Sequence, residues 1–269
     1  MSLSALQQSF VPKSMTTALD IRGGAALGPV DEDTALKVIG GIFGAHGVMN
    51  VLGPEKCADA YGVKNASPLS ISMFELSGTS MLATAVLVYS MYVQGSSVDT
   101  AVGSAIAVWF FQNLRTILTE TPKKLGYAEG PLFAFTALNG AAAYGGLART
   151  EWGQTVMKAA SAISAVTGLF GAFASKQYAD AWQPKKPLTK FELMDVELTS
   201  FWNVALGAAS YTLLDGGDIK TAIGYATAVM SVACIKMIVT GDINLRDTDN
   251  TPVYFWTALM LVASYILLA

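Results

Sequence analysis

Gly41-Ile42-Phe43-Gly44-Ala45, followed after a loop by Ala58-Asp59-Ala60-Tyr61, returns later in the chain as Gly168-Leu169-Phe170-Gly171-Ala172 and Ala179-Asp180-Ala181-Trp182. Each occurrence couples a small-residue apolar helix to a polar loop, and each is followed by three longer apolar segments. Aligned on this motif, His46 falls opposite Phe173, and the second loop is six residues shorter between Ala172 and Ala179.

The similarity continues outward. Pro68-Leu69 matches Pro187-Leu188, and Tyr89 matches Tyr211 at an offset of 122. Gly103-Ser104-Ala105 matches Gly224-Tyr225-Ala226, and Arg115 matches Lys236, at an offset of 121. Pro131 matches Pro252, Thr136-Ala137-Leu138 matches Thr257-Ala258-Leu259, and Tyr144 matches Tyr265. Agreement of prolines, tyrosines and the single base of each third helix indicates an internal duplication. A repeat of about 120 residues is far longer than a solenoid unit, so each copy reads as a small helical bundle.

The 269 residues are 52% hydrophobic and 14% charged. A soluble domain carries about 25% charged residues, so the deficit points to a polytopic membrane protein. A net charge of −3 without a basic tract argues against nucleic-acid binding. Cys57, in a loop, and Cys234, in a helix, form neither a disulfide framework nor a metal spacing. The tail, 1–34, holds Lys13, Arg22 and several Ser and Thr, with no acid before Asp20, and reads as transit-like. Asp31-Glu32-Asp33-Thr34 would cap a helix beginning near Ala35.

Eight uncharged stretches follow: Val38–Pro54, Leu76–Val98, Thr100–Leu114, Gly130–Ala148, Ala159–Ser175, Leu198–Leu214, Thr221–Ile235 and Asn250–Ala269. A span needs about 20 mainly apolar residues. The second, fourth and eighth stretches meet this outright; the third and seventh do so if Arg115 and Lys236 snorkel, and the sixth if Glu192–Glu197 supplies its first turns. The first and fifth are short, and either cross the membrane or lie in the interface. The expected fold is therefore all-α: repeat 1 over 35–149 and repeat 2 over 150–269, two tandem four-helix bundles with about eight membrane helices. Six spans, with the copies in opposite orientation, is the alternative. With eight spans, six of the 17 Lys and Arg fall on the side of the tail and eleven opposite, which places the long loops on the cytosol-equivalent face.

Ionisable residues inside apolar stretches are costly and are normally satisfied by a partner. Glu75 with Arg115, and Glu197 with Lys236 at matching places, are the expected ion pairs. Either pair serves as a helix-end anchor or leaves a carboxylate oxygen for a cofactor metal. His46, the only histidine, sits on a glycine-rich helix that a flat macrocycle could approach. His46, Glu75 and Glu197 are thus the candidate pigment ligands, with chlorophyll or carotenoid the cofactors. Small-residue stripes such as Gly40-x-x-x-Gly44 permit close helix packing in lipid. No phosphate loop, His/Cys metal cluster or His-containing triad is present in the sequence, so no catalytic residue or metal site is assigned.

A glycine-bearing first helix, a proline-acid loop at Pro54-Glu55-Lys56 with an aromatic-Gly end at Tyr61-Gly62, and three further helices resemble the DoxX-like group of four-span membrane proteins. The second copy departs from it, with Gln183 in place of Gly62. The resemblance implies a four-helix bundle and an association with redox systems. With Leu27-Gly28-Pro29-Val30 ahead of the membrane region, the chain is also similar in style to nucleus-encoded algal thylakoid proteins. The antenna-protein hallmark, a Glu and an Arg close together on one helix, is not matched at Glu75 or Glu197. The expected function is a non-enzymatic accessory or linker subunit of a thylakoid photosystem-antenna complex, embedded in the lipid bilayer. The alternative is a small-molecule carrier or quinone-linked redox partner with a site between the repeats.

Overall fold

The computed structural model describes residues 30–182, 186–245 and 250–269. The transit-like character assigned to the tail lies outside the described residues. From Glu32 onward the chain forms one compact unit, and among the described residues there is no strand. Its elements are α1 (Glu32–Leu52), α2 (Pro54–Ala60), α3 (Pro68–Val88) with a π-helical turn at Tyr89–Val93, α4 (Val98–Leu118), α5 (Thr121–Leu125) and α6 (Gly130–Leu147). They continue as α7 (Gly153–Phe173), α8 (Ser175–Ala181), α9 (Lys190–Leu214), α10 (Ile219–Val239), a 3₁₀ turn (Asp242–Leu245) and α11 (Thr251–Leu268).

Local chemistry sets these boundaries. Ser67, Ser97 and Asp218 each cap a helix by accepting a hydrogen bond from the backbone N–H three residues on, and Thr189 with Glu192 forms a full capping box. Prolines occupy the first turns of α2, α3, α5, α6 and α11, where no intrahelical N–H is missed. α1 begins at Glu32, three residues ahead of the expected Ala35, because Glu32 and Asp33 suit the positive end of a helix dipole.

The duplication is more regular than the sequence motif suggests. α1 and α7 start 121 residues apart (153 − 32), and so do α2 and α8 (175 − 54), α4 and α10 (219 − 98), and α6 and α11 (251 − 130). The alignment of Gly41–Ala45 with Gly168–Ala172 is therefore six residues out of register, and the two early loops are equal in length. The true counterpart of Gly168 is Gly47. A Cβ on Gly47 would meet Leu82 N at 2.7 Å and Gly78 O at 2.8 Å, and one on Gly168 would meet Ser200 O at 2.7 Å and Val204 N at 2.9 Å. Ser200 and Val204 are the counterparts of Gly78 and Leu82, 122 residues on. His46 consequently stands opposite Thr167, not Phe173. The offset of 122 along α3 and α9 returns to 121 at Gly95 and Gly216, both in the left-handed region. The π turn Tyr89–Val93 absorbs the extra residue of the first copy, since an i→i+5 turn holds one residue more than an α turn.

Among the described residues, six helices are long and apolar enough to cross a membrane: α1, α3 with its π turn, α4, α7, α10 and α11. The chain is thus a polytopic helical protein suited to a lipid bilayer. The two helices that the sequence left between spanning and interfacial, α1 and α7, are in this set at 21 residues each. The fourth stretch, α6, is not, because Asn139 and several glycines lower its mean hydropathy. α9 is also outside this set, and it carries Lys190, Glu192, Asp195 and Glu197 in its first turns.

Consecutive long helices pack side by side, α11 returns to α1, and α3 meets α9 across the middle. α3 and α9 run parallel, with Ser67 near the start of one bonded to Glu192 near the start of the other at 2.7 Å. Further along, Ser77 and Thr199 share a 3.0 Å hydrogen bond. These two residues are counterparts in the duplication (199 − 77 = 122), so equivalent positions face each other, as a two-fold relation between the copies requires. Both copies therefore run in the same direction, which overturns the alternative that opposed them.

Candidate functional site

The copies enclose two cavities. The larger, about 210 Å³, lies between α3, α4, α6, α7, α8 and α9. The smaller, about 80 Å³, lies between α9, α10, α11, α1, the end of α2 and α3. The two-fold relation exchanges them: Leu132, Phe135 and Asn139 of the larger correspond to Val253, Trp256 and Met260 of the smaller. Trp109, Asn113 and Thr116 correspond in the same way to Met230, Cys234 and Met237.

Hydrogen bonds link three residues that line the smaller cavity. His46 Nε2 lies 2.8 Å from the Tyr61 hydroxyl, which also accepts a 2.7 Å bond from the Trp256 indole N–H. The three rings pack edge to face, His46 being 5.6 Å from Tyr61 and 5.1 Å from Trp256. In the larger cavity the counterparts are Thr167, Trp182 and Phe135, with no such network; the Phe135 and Trp182 rings lie near-parallel, 11° apart. Phe43, fully buried against Trp202 at 5.2 Å, fills the position that Ser164 leaves open in the larger cavity. Equivalent positions of the two copies thus line one larger and one smaller cavity.

Among the described residues, no Asp, Glu, Lys, Arg or His lines the larger cavity. Its polar groups are neutral amides and hydroxyls, chiefly Asn113, Asn139, Asn203, Ser161 and Ser210. Tyr127 stands at one end, outside the long helices; burial, reinforced by the Glu192 charge, pushes its phenol up to about 12. It stays protonated and neutral throughout the physiological range. Among the described residues no group of three or more His, Cys, Asp or Glu is placed to hold a metal. Cys57 lies in α2 rather than in a loop, and burial pushes its thiol up, away from nucleophilic chemistry.

The ionisable residues singled out in the sequence lie elsewhere. Glu75 on α3 is ion-paired with Arg115 on α4 and accepts a 2.7 Å bond from Gln112. Glu197 on α9 is ion-paired with Lys236 on α10 and accepts a 2.7 Å bond from Ser175; Lys236 also reaches the Ala172 carbonyl at 3.2 Å. Each pair joins the same two helices of its copy, and no atom of either lines a cavity. His46 alone among the three candidate pigment ligands reaches one, with Nε2 directed at Tyr61.

Set against known protein families, curated protein sequences and solved structures, the chain matches none of them.

The amides of the larger cavity escaped the sequence reading because each is a lone polar residue in an otherwise apolar stretch. A signal did exist. At the duplicate positions Asn113, Asn139 and Asn203 become Cys234, Met260 and Met81, a consistent exchange of amide for sulfur. Asp195, within the Glu192–Glu197 first turns of α9, is buried at 3% exposed and lines the smaller cavity.

Proposed function

We propose that the chain is a non-enzymatic integral membrane protein of eight spans, four from each copy, that holds a small lipophilic molecule in the larger cavity between the copies. The observation that carries this reading is a cavity of about 210 Å³ with no charged residue in its described lining, whose twin holds only about 80 Å³. Pockets for small molecules are mainly apolar with a few convergent polar groups, which describes this lining. Binding at such depth brings the molecule to the site through lipid rather than water, as the apolar outer surface favours. α6 and α9 complete the eight spans because their polar residues face neighbouring helices and the cavity.

The test uses prodan, a neutral two-ring fluorophore, with the full chain in phosphatidylcholine nanodiscs. Energy transfer from Trp109 and Trp182 should report saturable binding. Ser164→Phe, which installs the residue the twin position already holds in Phe43, should abolish it. Saturable transfer that survives Ser164→Phe unchanged would place binding outside this cavity and end the proposal.

A second reading is an accessory or linker subunit of a photosynthetic assembly in a thylakoid membrane, associated with chlorophyll or carotenoid. Outward-facing rings support it: Tyr144 on α6 is 64% exposed and its counterpart Tyr265 on α11 is 76% exposed. Aromatic residues of this kind anchor helices at membrane interfaces and contact neighbouring subunits. Pigment bands co-migrating with the native complex in mild detergent are the expected result. A colourless monomer would sink this reading and leave the first intact.

A further inference from the structure

Resting on the binding role proposed above, we infer that the larger cavity takes a neutral ring compound edged with carbonyl or hydroxyl groups, held by the side-chain amides of Asn113, Asn139 and Asn203. Asn113 and Asn139 are 5% and 8% exposed, and within the protein no hydrogen bond reaches any of the three amides among the described residues. Ser161 Oγ and Ser210 Oγ, both fully enclosed, also have no partner. An unsatisfied buried polar group costs about 1–3 kcal/mol, so two enclosed hydroxyls beside three unbonded amides on one cavity need a reason.

The duplication supplies an internal control. If the helices required polar residues at these places, the second copy of each position would hold them too. It holds Cys234, Met260 and Met81 opposite the three amides, and Gly40 and Val88 opposite the two serines. The scaffold therefore packs well with apolar groups here, and the polar set belongs to the cavity. The same comparison shows that Ser164 keeps open the space that Phe43 fills.

The lining then narrows the ligand. A charged molecule would find no counter-ion among the described lining residues and would remain unpaired in low dielectric. An acyl chain or plain hydrocarbon would leave the amides unsatisfied. The amides project from α4, α6 and α9, on three sides of the cavity, so the hydrogen-bonding atoms of the ligand lie on more than one edge. The rings of Trp109, Phe135 and Trp182 form walls suited to a flat molecule.

The experiment compares prodan with 2-(dimethylamino)naphthalene, which has the same rings and amine but lacks the carbonyl arm. Both are titrated against the full chain in phosphatidylcholine nanodiscs. Asn113→Cys and Asn139→Met, separately and together, borrow residues that the twin positions already accommodate, so the helix packing is retained; circular dichroism and elution volume verify it. Prodan affinity should fall about tenfold in each single variant, while that of the dye without the carbonyl stays unchanged or rises. Prodan binding that is abolished by Ser164→Phe yet indifferent to both asparagine substitutions overturns the amide assignment and leaves the binding role standing. Absence of saturable binding by either dye to the wild type overturns both.

Discussion

Leucine at Gly168 should destabilise the protein by about 3 kcal/mol or more, because the contact it invades is made of backbone and cannot give way. A Cβ there would lie 2.7 Å from Ser200 O and 2.8 Å from Val204 Cγ2, before any further carbon is added. α7 and α9 would have to separate along a shared seam that continues through Gly207, where a Cβ would meet Ser161 O at 2.7 Å. Helices in lipid associate through close van der Waals contact, not through the hydrophobic effect, so a gap between them is not offset by collapse elsewhere. Gly47→Leu should cost a similar amount, since it makes the same contact in the first copy. Gly41→Leu should change stability by no more than about 0.5 kcal/mol, because nothing lies within 4 Å of its Cβ position. Thermal unfolding of the three variants in one detergent distinguishes these cases. Equal losses at Gly41 and Gly168 would show that the register between the copies is the motif's and not the one described above.

Removing one partner of the Glu197–Lys236 pair is expected to have the next largest effect. The side chains are only 23% and 26% exposed, and Glu197 also accepts the Ser175 hydroxyl. Glu197→Ala strands the Lys236 ammonium with the Ala172 carbonyl as its remaining partner. Loss of one member of a buried pair costs about 3–5 kcal/mol, and partial exposure reduces that here to roughly 2–3 kcal/mol. Glu197→Leu combined with Lys236→Leu should recover most of the loss, since no uncompensated charge then remains. Strict additivity of the two single variants would refute a direct coupling. The Glu75–Arg115 pair should be less sensitive, because Arg115 is 52% exposed and can turn to the headgroups. Since neither pair lines a cavity, Glu75→Gln with Glu197→Gln should leave prodan binding unchanged, which separates these anchors from the binding site.

Much of the helical plan was legible in the sequence because it rests on local chemistry. Uncharged stretches, capping residues such as Ser97 and Asp218, and prolines in first turns mark where helices begin whatever they later pack against. Matching prolines and the matching bases Arg115 and Lys236 made the duplication visible. The motif's register was misread for a physical reason. In a helix rich in Gly and Ala, small residues recur every three or four positions, so a slip of six residues, under two turns, still aligns glycine with glycine. Only the partner helix distinguishes Gly47, pressed onto Leu82 and Gly78, from Gly41, which touches nothing.

The binding site was beyond the sequence for a related reason. Asn113, Asn139 and Asn203 are separated along the chain and sit on three helices, and nothing local shows that they face one space. By itself the sequence determined that this is a twice-repeated set of apolar helices, because a hydrocarbon solvent leaves the backbone few other ways to satisfy its hydrogen bonds. Tertiary structure alone decided which equivalent residues meet, at Ser77 and Thr199, and which of two related cavities is the larger. Those outcomes depend on side-chain volume across helices, Phe43 in one copy and Ser164 in the other, and volume acts only once the helices are together.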